Sequence, residues 1–421
     1  MIRHLVNEGG VVGHLSHLYD NRELTFAEIK QLLTAAAEGR LEHVSEKLDG
    51  MNLVVSWDVE ADDLRAARNA GDVKGGGMDA RAIAAKFYDR GNVADAFNAA
   101  FKVLRDALSA LPASAKVKIF GTRASIWYSL EVIYTENPNV INYDSNNLVF
   151  HGWPVFQLKN GAVTRKDNAP GVELLKSYID RMQKAVTLRN WRVRGPAMLR
   201  LQKLSDGSAL QKTLSAISSA QSDAGVSDSD TIGDYLYELT KERVADFGLL
   251  PPVAKAVISR VLGTENSLGL NDIKKMLPKE LHAKVTDFVK RSPELLKSFI
   301  QPIEDAVHNF AIEVLRGLHS TLIDDSDAEV VRLRGEVSKA VKAIEASGQD
   351  VAMDVLHRQM QKLGHVENIA AAMEGVVFIY KGNAYKFTGS FAPANQILGL
   401  FKYGRKGVKI PAIAEMVSRG T

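Results

Sequence analysis

What constrains this chain most is a hydrophobic period that changes twice. Strand-type runs fill the first part: Leu53-Val54-Val55-Ser56-Trp57, Tyr128-Ser129-Leu130-Glu131-Val132-Ile133-Tyr134 and Leu148-Val149-Phe150-His151-Gly152-Trp153, the last extended by residues 154–163 into a hairpin. Past Arg165 the strand signal stops for roughly 200 residues, a span sufficient for a domain of its own. It then returns as Gly375-Val376-Val377-Phe378-Ile379-Tyr380, the turn Lys381-Gly382-Asn383, and Ala384-Tyr385-Lys386-Phe387-Thr388. The pattern predicts an α+β fold with a discontinuous core of antiparallel sheets, residues 1–166 and 367–421, interrupted by an all-helical insertion at 167–366.

Helix signals fit that division. Thr25 followed by Glu28 is a capping box, with Ile29, Leu32 and Leu33 recurring at helical spacing behind it and Gly39 as the stop. Phe87, Phe97, Phe101, Leu104 and Leu108 make one apolar stripe through residues 80–111, which reads as core. In the insertion, helical spacing covers 172–188, 232–247, 253–262, 281–289, 295–322, 330–344 and 351–363, without a fixed-period repeat. Two stretches are expected to be non-helical: residues 116–120, where the strand period begins, and 205–230, whose small and polar residues suggest loops.

Composition narrows the class of partner. With 53 basic and 50 acidic residues in 421 the net charge is only +3, so an anionic partner must be held by a local patch. The absence of cysteine removes disulfides, thiolate nucleophiles and Cys-type zinc sites. No signal peptide or membrane-length apolar run is visible, and a cytoplasmic protein is expected.

One stretch carries chemistry: Glu46-Lys47-Leu48-Asp49-Gly50, at the mouth of the first strand. A lysine amine, with a reference pKa of about 10.4, attacks a carbonyl or phosphoryl group only where its surroundings favour the neutral form. Taken alone, Asp49-Gly50 reads first as a turn between strands. Downstream, Arg65 and Arg68 precede Lys74-Gly75-Gly76-Gly77, either a phosphate-positioning loop or a mobile hairpin tip, with Arg68 the favoured phosphate ligand. Glu131 is a lone carboxylate in an apolar strand and must face solvent, pair with a cation or serve a site. Basic residues bracket Trp191, but a packed tryptophan on a solvated basic face is preferred there to a nucleic-acid grip. His4, His14, His17, His357 and His365 lack ligand spacing and read as structural or surface residues, and Lys402, Arg405, Lys406 and Lys409 form a modest basic cluster.

Lys47-x-Asp49-Gly50, Glu131, the aromatic strand at Phe150, Glu374-Gly375-Val376-Val377 and the strand lysine Lys386 occur in that order. The set resembles the covalent nucleotidyltransferase superfamily of ATP-dependent DNA and RNA ligases and mRNA-capping enzymes. It departs from the usual pattern in two places: Lys386 is followed by Phe387-Thr388 rather than by a second lysine one residue on, leaving Lys381 across the turn, and Gly121-Thr122 stands where some relatives have Gly-Glu. Residues 389–421 fall short of the ~100 residues of an OB-type barrel, which directs the resemblance to the RNA ligases.

The resemblance implies an adenylation core, ATP and Mg2+ (or Mn2+), and an acceptor with 5′-phosphate and 3′-hydroxyl ends, RNA before DNA. Lys47 would be the nucleophile that forms lysyl-AMP, with Lys386 on the α-phosphate and Arg68 on that phosphate or the 5′-phosphate end. Phe150 would stack on adenine, Glu131 would hold the ribose or water around the metal, and Glu46 and Gly50 would line the nucleotide. Glu374 and Asp49 would hold the metal through its waters. Two alternatives stand beside this: a DNA nick ligase or other adenylyltransferase of the same chemistry, and a non-catalytic nucleic-acid-binding protein with a retained ligase-like core.

Overall fold

The computed structural model describes residues 15–137, 143, 145–195, 198–318, 326–346, 350–363, 369, 373–391, 393–394 and 397–398. The first helix, Phe26–Ala37, starts where its cap dictates: the Glu28 amide donates to Thr25 Oγ1 at 3.2 Å and the Thr25 amide donates to the Glu28 carboxylate at 2.9 Å. Its inward face is Phe26, Ile29, Leu32, Leu33 and Ala36.

The strands form two sheets. β1 (Val44–Lys47) belongs to one; β2 (Met51–Asp58), β3 (Asp63–Ala67), β4 (Ile126–Ile133), β5 (Asn146–Lys159), β6 (Ala162–Lys166) and β7 (Trp191–Arg194) make the other. The six-stranded sheet runs β3-β2-β4-β5-β6 with antiparallel pairing, and β7 lies parallel beside the start of β5. Alternation gives this sheet two unlike faces. Leu53, Val55, Leu130, Val132, Leu148 and Phe150 point one way, into a core closed by Phe97, Phe101, Leu104 and Leu108 of the helix Asn92–Ser109. On the other face, Asn52, Ser129 and Glu131 lie between two apolar patches, one around Val54, Trp127 and Phe156 and one around Ile133, Val149, Leu333 and Val337.

The four-stranded sheet has the order β10-β9-β1-β8, where β8 is Met198–Leu199, β9 is Gly375–Tyr380 and β10 is Asn383–Thr388. Its pairing requires a glycine at Gly375, because a Cβ there would stand 2.1 Å from the carbonyl oxygen of Phe387. Val44, Val376, Phe378, Tyr385 and Phe387 on one face share a continuous core with the first helix and with the helices Ser208–Ala224, Ile232–Ala245, Pro251–Leu262 and Ser292–Leu315. No described helix is long and apolar enough to cross a membrane.

The α+β class with antiparallel sheets matches the period analysis, but three local expectations fail. The segment 167–366 is not all-helical, since β7 and β8 join the two sheets from within it. These strands are four and two residues long, too short for a period to show, and β7 has arginines on either side of its buried Trp191 and Val193. Residues 113–120 are a helix: Pro112 caps it, and Ala115, Ile119 and Phe120 bury one side, so the alternation of Val117 and Ile119 is incidental. Ser208–Ala224 is also a helix, whose buried stripe of Thr213, Ile217, Ala220 and Gln221 is too small and polar to announce itself.

Candidate functional site

Register places two lysines on one face of the four-stranded sheet. Ser45 pairs with Val377 and Val377 with Lys386, while Lys47 pairs with Gly375 and Gly375 with Thr388. Side chains paired across a sheet share a face, so Lys47 and Lys386 both rise from the face opposite the apolar one. Glu374, immediately before β9, forms an ion pair with the Lys47 Nζ across 327 positions of sequence. Only 18% of the Lys47 side chain and 13% of the Glu374 side chain remain exposed.

The six-stranded sheet meets this face with its polar stripe. Glu131 on β4 lies within electrostatic reach of Lys47, Arg68, Glu374 and Asp49. Burial pushes its carboxyl up to about 8 although Lys47 and Arg68 pull the other way. Its Oε2 and the Oδ1 of Asn52, the cross-strand neighbour, are buried without hydrogen-bond partners. Arg68 donates to the Asn52 carbonyl oxygen and lies over the Phe97 ring, 4.9 Å from its centroid. Burial raises the Glu374 carboxyl and lowers the Lys386 amine; Lys47 opposes the first shift and reinforces the second.

The turn between β1 and β2 is fixed by contact. The Asp49 amide donates to Tyr143 Oη at 3.2 Å, and a Cβ on Gly50 would be 2.9 Å from the Val132 carbonyl oxygen. Only glycine lets β2 begin so close to β4, which brings Asp49 beside Glu374.

Lys47, Asp49, Gly50, Arg68, Glu131, Glu374 and Lys386 are therefore gathered; three other residues are not. Phe150 is 0% exposed and lies in the apolar core on the opposite face from Glu131, because it pairs with Leu130. It presents no ring to a ligand beside Lys47. Glu46 alternates to the far side of β1 and is 6% exposed. Lys381 is 67% exposed and pairs with Glu28 instead of reaching the site. Trp191 is packed, with its ring stacked 6.0 Å from Tyr134. In the glycine run, a Cβ on Gly77 would be 2.4 Å from the Trp127 ring, so that glycine serves packing. His4, His14, His365, Lys402, Arg405, Lys406 and Lys409 lie outside the described residues.

The motif reading overlooked Asn52 and Ser129. Asn52 donates to Ser129 Oγ at 2.9 Å, on the Glu131 face. Burial lowers the imidazole of His151, next to Phe150 on β5, to about 4; the register between β4 and β5 shifts across this stretch, with Leu130 paired to Phe150 and Tyr128 to Val155. A period-2 count from Glu131 would have found Ser129, and the pairing of β2 with β4 was needed for Asn52.

Three carboxylates around one half-buried lysine, one of them with an orphan oxygen, suit a hard divalent cation that keeps most of its waters. Among the described residues there is no group of three His, Asp or Glu side chains set to enclose a metal directly; Asp49 and Glu374 are close enough to influence one another and could share a cation through its waters. In chemical terms the site combines a lysine paired to a carboxylate, a second, half-buried lysine and a carboxyl raised by burial, groups suited to displacement at phosphorus. No protein-family model matches the chain, and no curated protein or solved structure matches it.

Proposed function

We propose that this protein is an ATP-dependent RNA ligase that joins 5′-phosphate and 3′-hydroxyl ends through lysyl-AMP on Lys47, and that its sheets are a nucleotidyltransferase core interrupted by the helical segment. One observation carries the reading: Lys47, Glu374, Lys386 and Glu131 come from three separate stretches of sequence and meet at one point.

In the first step Glu374 accepts a proton from the Lys47 ammonium, and the freed amine attacks the α-phosphorus of ATP. The Nζ–P bond forms as the bond to the β-phosphate oxygen breaks, and pyrophosphate leaves with that electron pair. A 5′-phosphate oxygen of the acceptor then displaces the lysine nitrogen, and a 3′-hydroxyl finally displaces AMP to make the phosphodiester. Lys386 sits on the same face to hold the α-phosphate through the in-line displacements. With Phe150 in the core, the adenine contact falls to the Glu131 face. A magnesium or manganese ion, when bound by Glu374 and Asp49 through its waters, neutralises phosphate oxygens.

The test is incubation with α-labelled ATP and magnesium or manganese, followed by denaturing electrophoresis. Label retained by the wild type and absent from Lys47→Ala is expected; no label with either metal ends the enzyme reading and leaves a binding protein. Offering 5′-phosphorylated RNA, single-stranded DNA and nicked duplex DNA then separates acceptors, and sealing of nicked DNA alone would replace the RNA assignment.

A further inference from the structure

Beyond Lys386 lies a second set of ionisable groups that the ligase steps above do not use. Residues 15–17 extend the four-stranded sheet: Ser16 bridges to Tyr385 in parallel, and the Lys386 amide donates to the Ser16 carbonyl oxygen at 3.0 Å. This brings His17 against Lys386, and the other charges acting on its ring are His308, Lys362 and Lys47. His308 is on the helix Ser292–Leu315, which packs on β10 through Phe310 and Phe387, 6.0 Å between ring centres. Lys362, on the helix Asp350–Leu363, is ion-paired with Glu304 one turn before His308.

Two features mark this cluster as made for an anion. His308 is 8% exposed, yet its Nε2 has no hydrogen-bond partner, an uncommon state for a buried polar atom. Both imidazoles are also held neutral, by burial first and then by the lysines. Asp20, Glu304 and Asp305 share the neighbourhood, Glu304 taken up by Lys362 and Asp305 by Gln301 at 2.7 Å. The cluster also adjoins the amine, since Lys386 and Lys47 act on the His17 ring together with His308 and Lys362. An attack by Lys47 at phosphorus expels a highly anionic leaving group, which cationic and hydrogen-bonding groups beside the amine suit.

Resting on the reading of Lys47 as the nucleophile, we propose that the helices Ser292–Leu315 and Asp350–Leu363 complete a second phosphate subsite, in which His308, Lys362 and His17 receive the pyrophosphate released from the nucleotide. The helical segment thus contributes directly to the chemistry, by binding the leaving group.

The proposal is tested by calorimetric titration of the full-length protein with pyrophosphate, inorganic phosphate and a 5′-phosphorylated oligoribonucleotide. Wild type is compared with His308→Ala and with Glu304→Gln combined with Lys362→Gln, which leaves a neutral amide pair in place of the buried ion pair. Pyrophosphate should bind the wild type, and each variant should weaken it about tenfold, the worth of one charge-assisted contact, while oligonucleotide binding is unchanged. Thermal melts identify a variant that has lost its fold, in which case the other decides. No pyrophosphate binding by the wild type, or unchanged binding by the folded variants, overturns the proposal; a loss confined to the oligonucleotide reassigns the subsite to the acceptor end. Because binding is read without chemistry, absent Lys47 labelling in the same preparations would remove the ligase reading separately from the subsite.

Discussion

The two sheets reach the same point by different routes and leave their charges in different states. The four-stranded sheet is assembled from residues 44–47, 198–199 and 375–388, and its site lysine on β1 is matched, Lys47 with Glu374, as is Lys362 with Glu304 beyond the sheet. The six-stranded sheet is nearly continuous in sequence, from β2 to β7, and it leaves Glu131 and Asn52 with buried oxygens that nothing satisfies. The difference teaches that the two sheets bring their polar groups together in different states, Lys47 already paired with a carboxylate and the facing Glu131 and Asn52 short of protein hydrogen-bond partners.

The comparison is broken most directly at Lys47. Lys47→Ala should abolish adenylyl labelling, a loss of at least about a thousandfold, in line with removal of a covalent nucleophile. Label persisting in that variant would take the nucleophile off the four-stranded sheet. Next in size is Phe150, which the six-stranded sheet uses as core. Phe150→Ala should cost about 3–5 kcal/mol in a denaturant melt, and Phe150→Leu under ~1.5 kcal/mol with ATP affinity unchanged. A folded Phe150→Leu protein that binds ATP tenfold more weakly, by roughly 1.4 kcal/mol, would put the ring back against the nucleotide.

Glu131→Gln tests the claim of an unsatisfied wall, and its sign is fixed by linkage. The folded carboxyl titrates near 8, above its ordinary 4.5, so between those values the folded state holds more protons than the unfolded one and stability falls as pH rises. A glutamine removes that cost. The variant should be more stable than wild type by up to about 4 kcal/mol at pH 8, the equivalent of that shift at about 1.36 kcal/mol per pH unit, with the gain vanishing toward pH 4.5, while the label at Lys47 declines. Equal stabilities at both pH values would mean that Glu131 is already satisfied in the ligand-free protein. The smallest effect belongs to the helix at the edge of the shared core: Thr25→Ala should cost ~1 kcal/mol in the same melts and leave labelling alone.

Much of the architecture is legible in one dimension because it is local. The Thr25–Glu28 cap, the stripe on the helix Asn92–Ser109 and the closing hairpin of β9 and β10 follow from spacings of two to four residues. Where a signal is non-local or too short, reading fails. β7 and β8 are strands only because β5 and β1 are there to pair with them, and Ser208–Ala224 hides its helix behind small residues that suit close packing. In the site, Lys47, Glu131, Glu374 and Lys386 are identified by type and order, while Phe150 and Glu46 are placed by a parity that sequence cannot supply. A one-residue difference in register turns a side chain to the other face, and register is set by the neighbouring strand.

The sequence by itself determined which chemistry-bearing residues the chain owns, that its sheets are antiparallel and that helices interrupt them, since composition and period are properties of short segments. Only the tertiary structure decided which of those residues meet. The Lys47–Glu374 pair spans 327 positions, His308 and Lys362 of the helical segment come near His17 and Lys386, and Phe150 turns inward, away from Glu131. Long-range pairing and burial settle these matters, because a carboxylate's acidity and a ring's exposure depend on neighbours that no local spacing encodes.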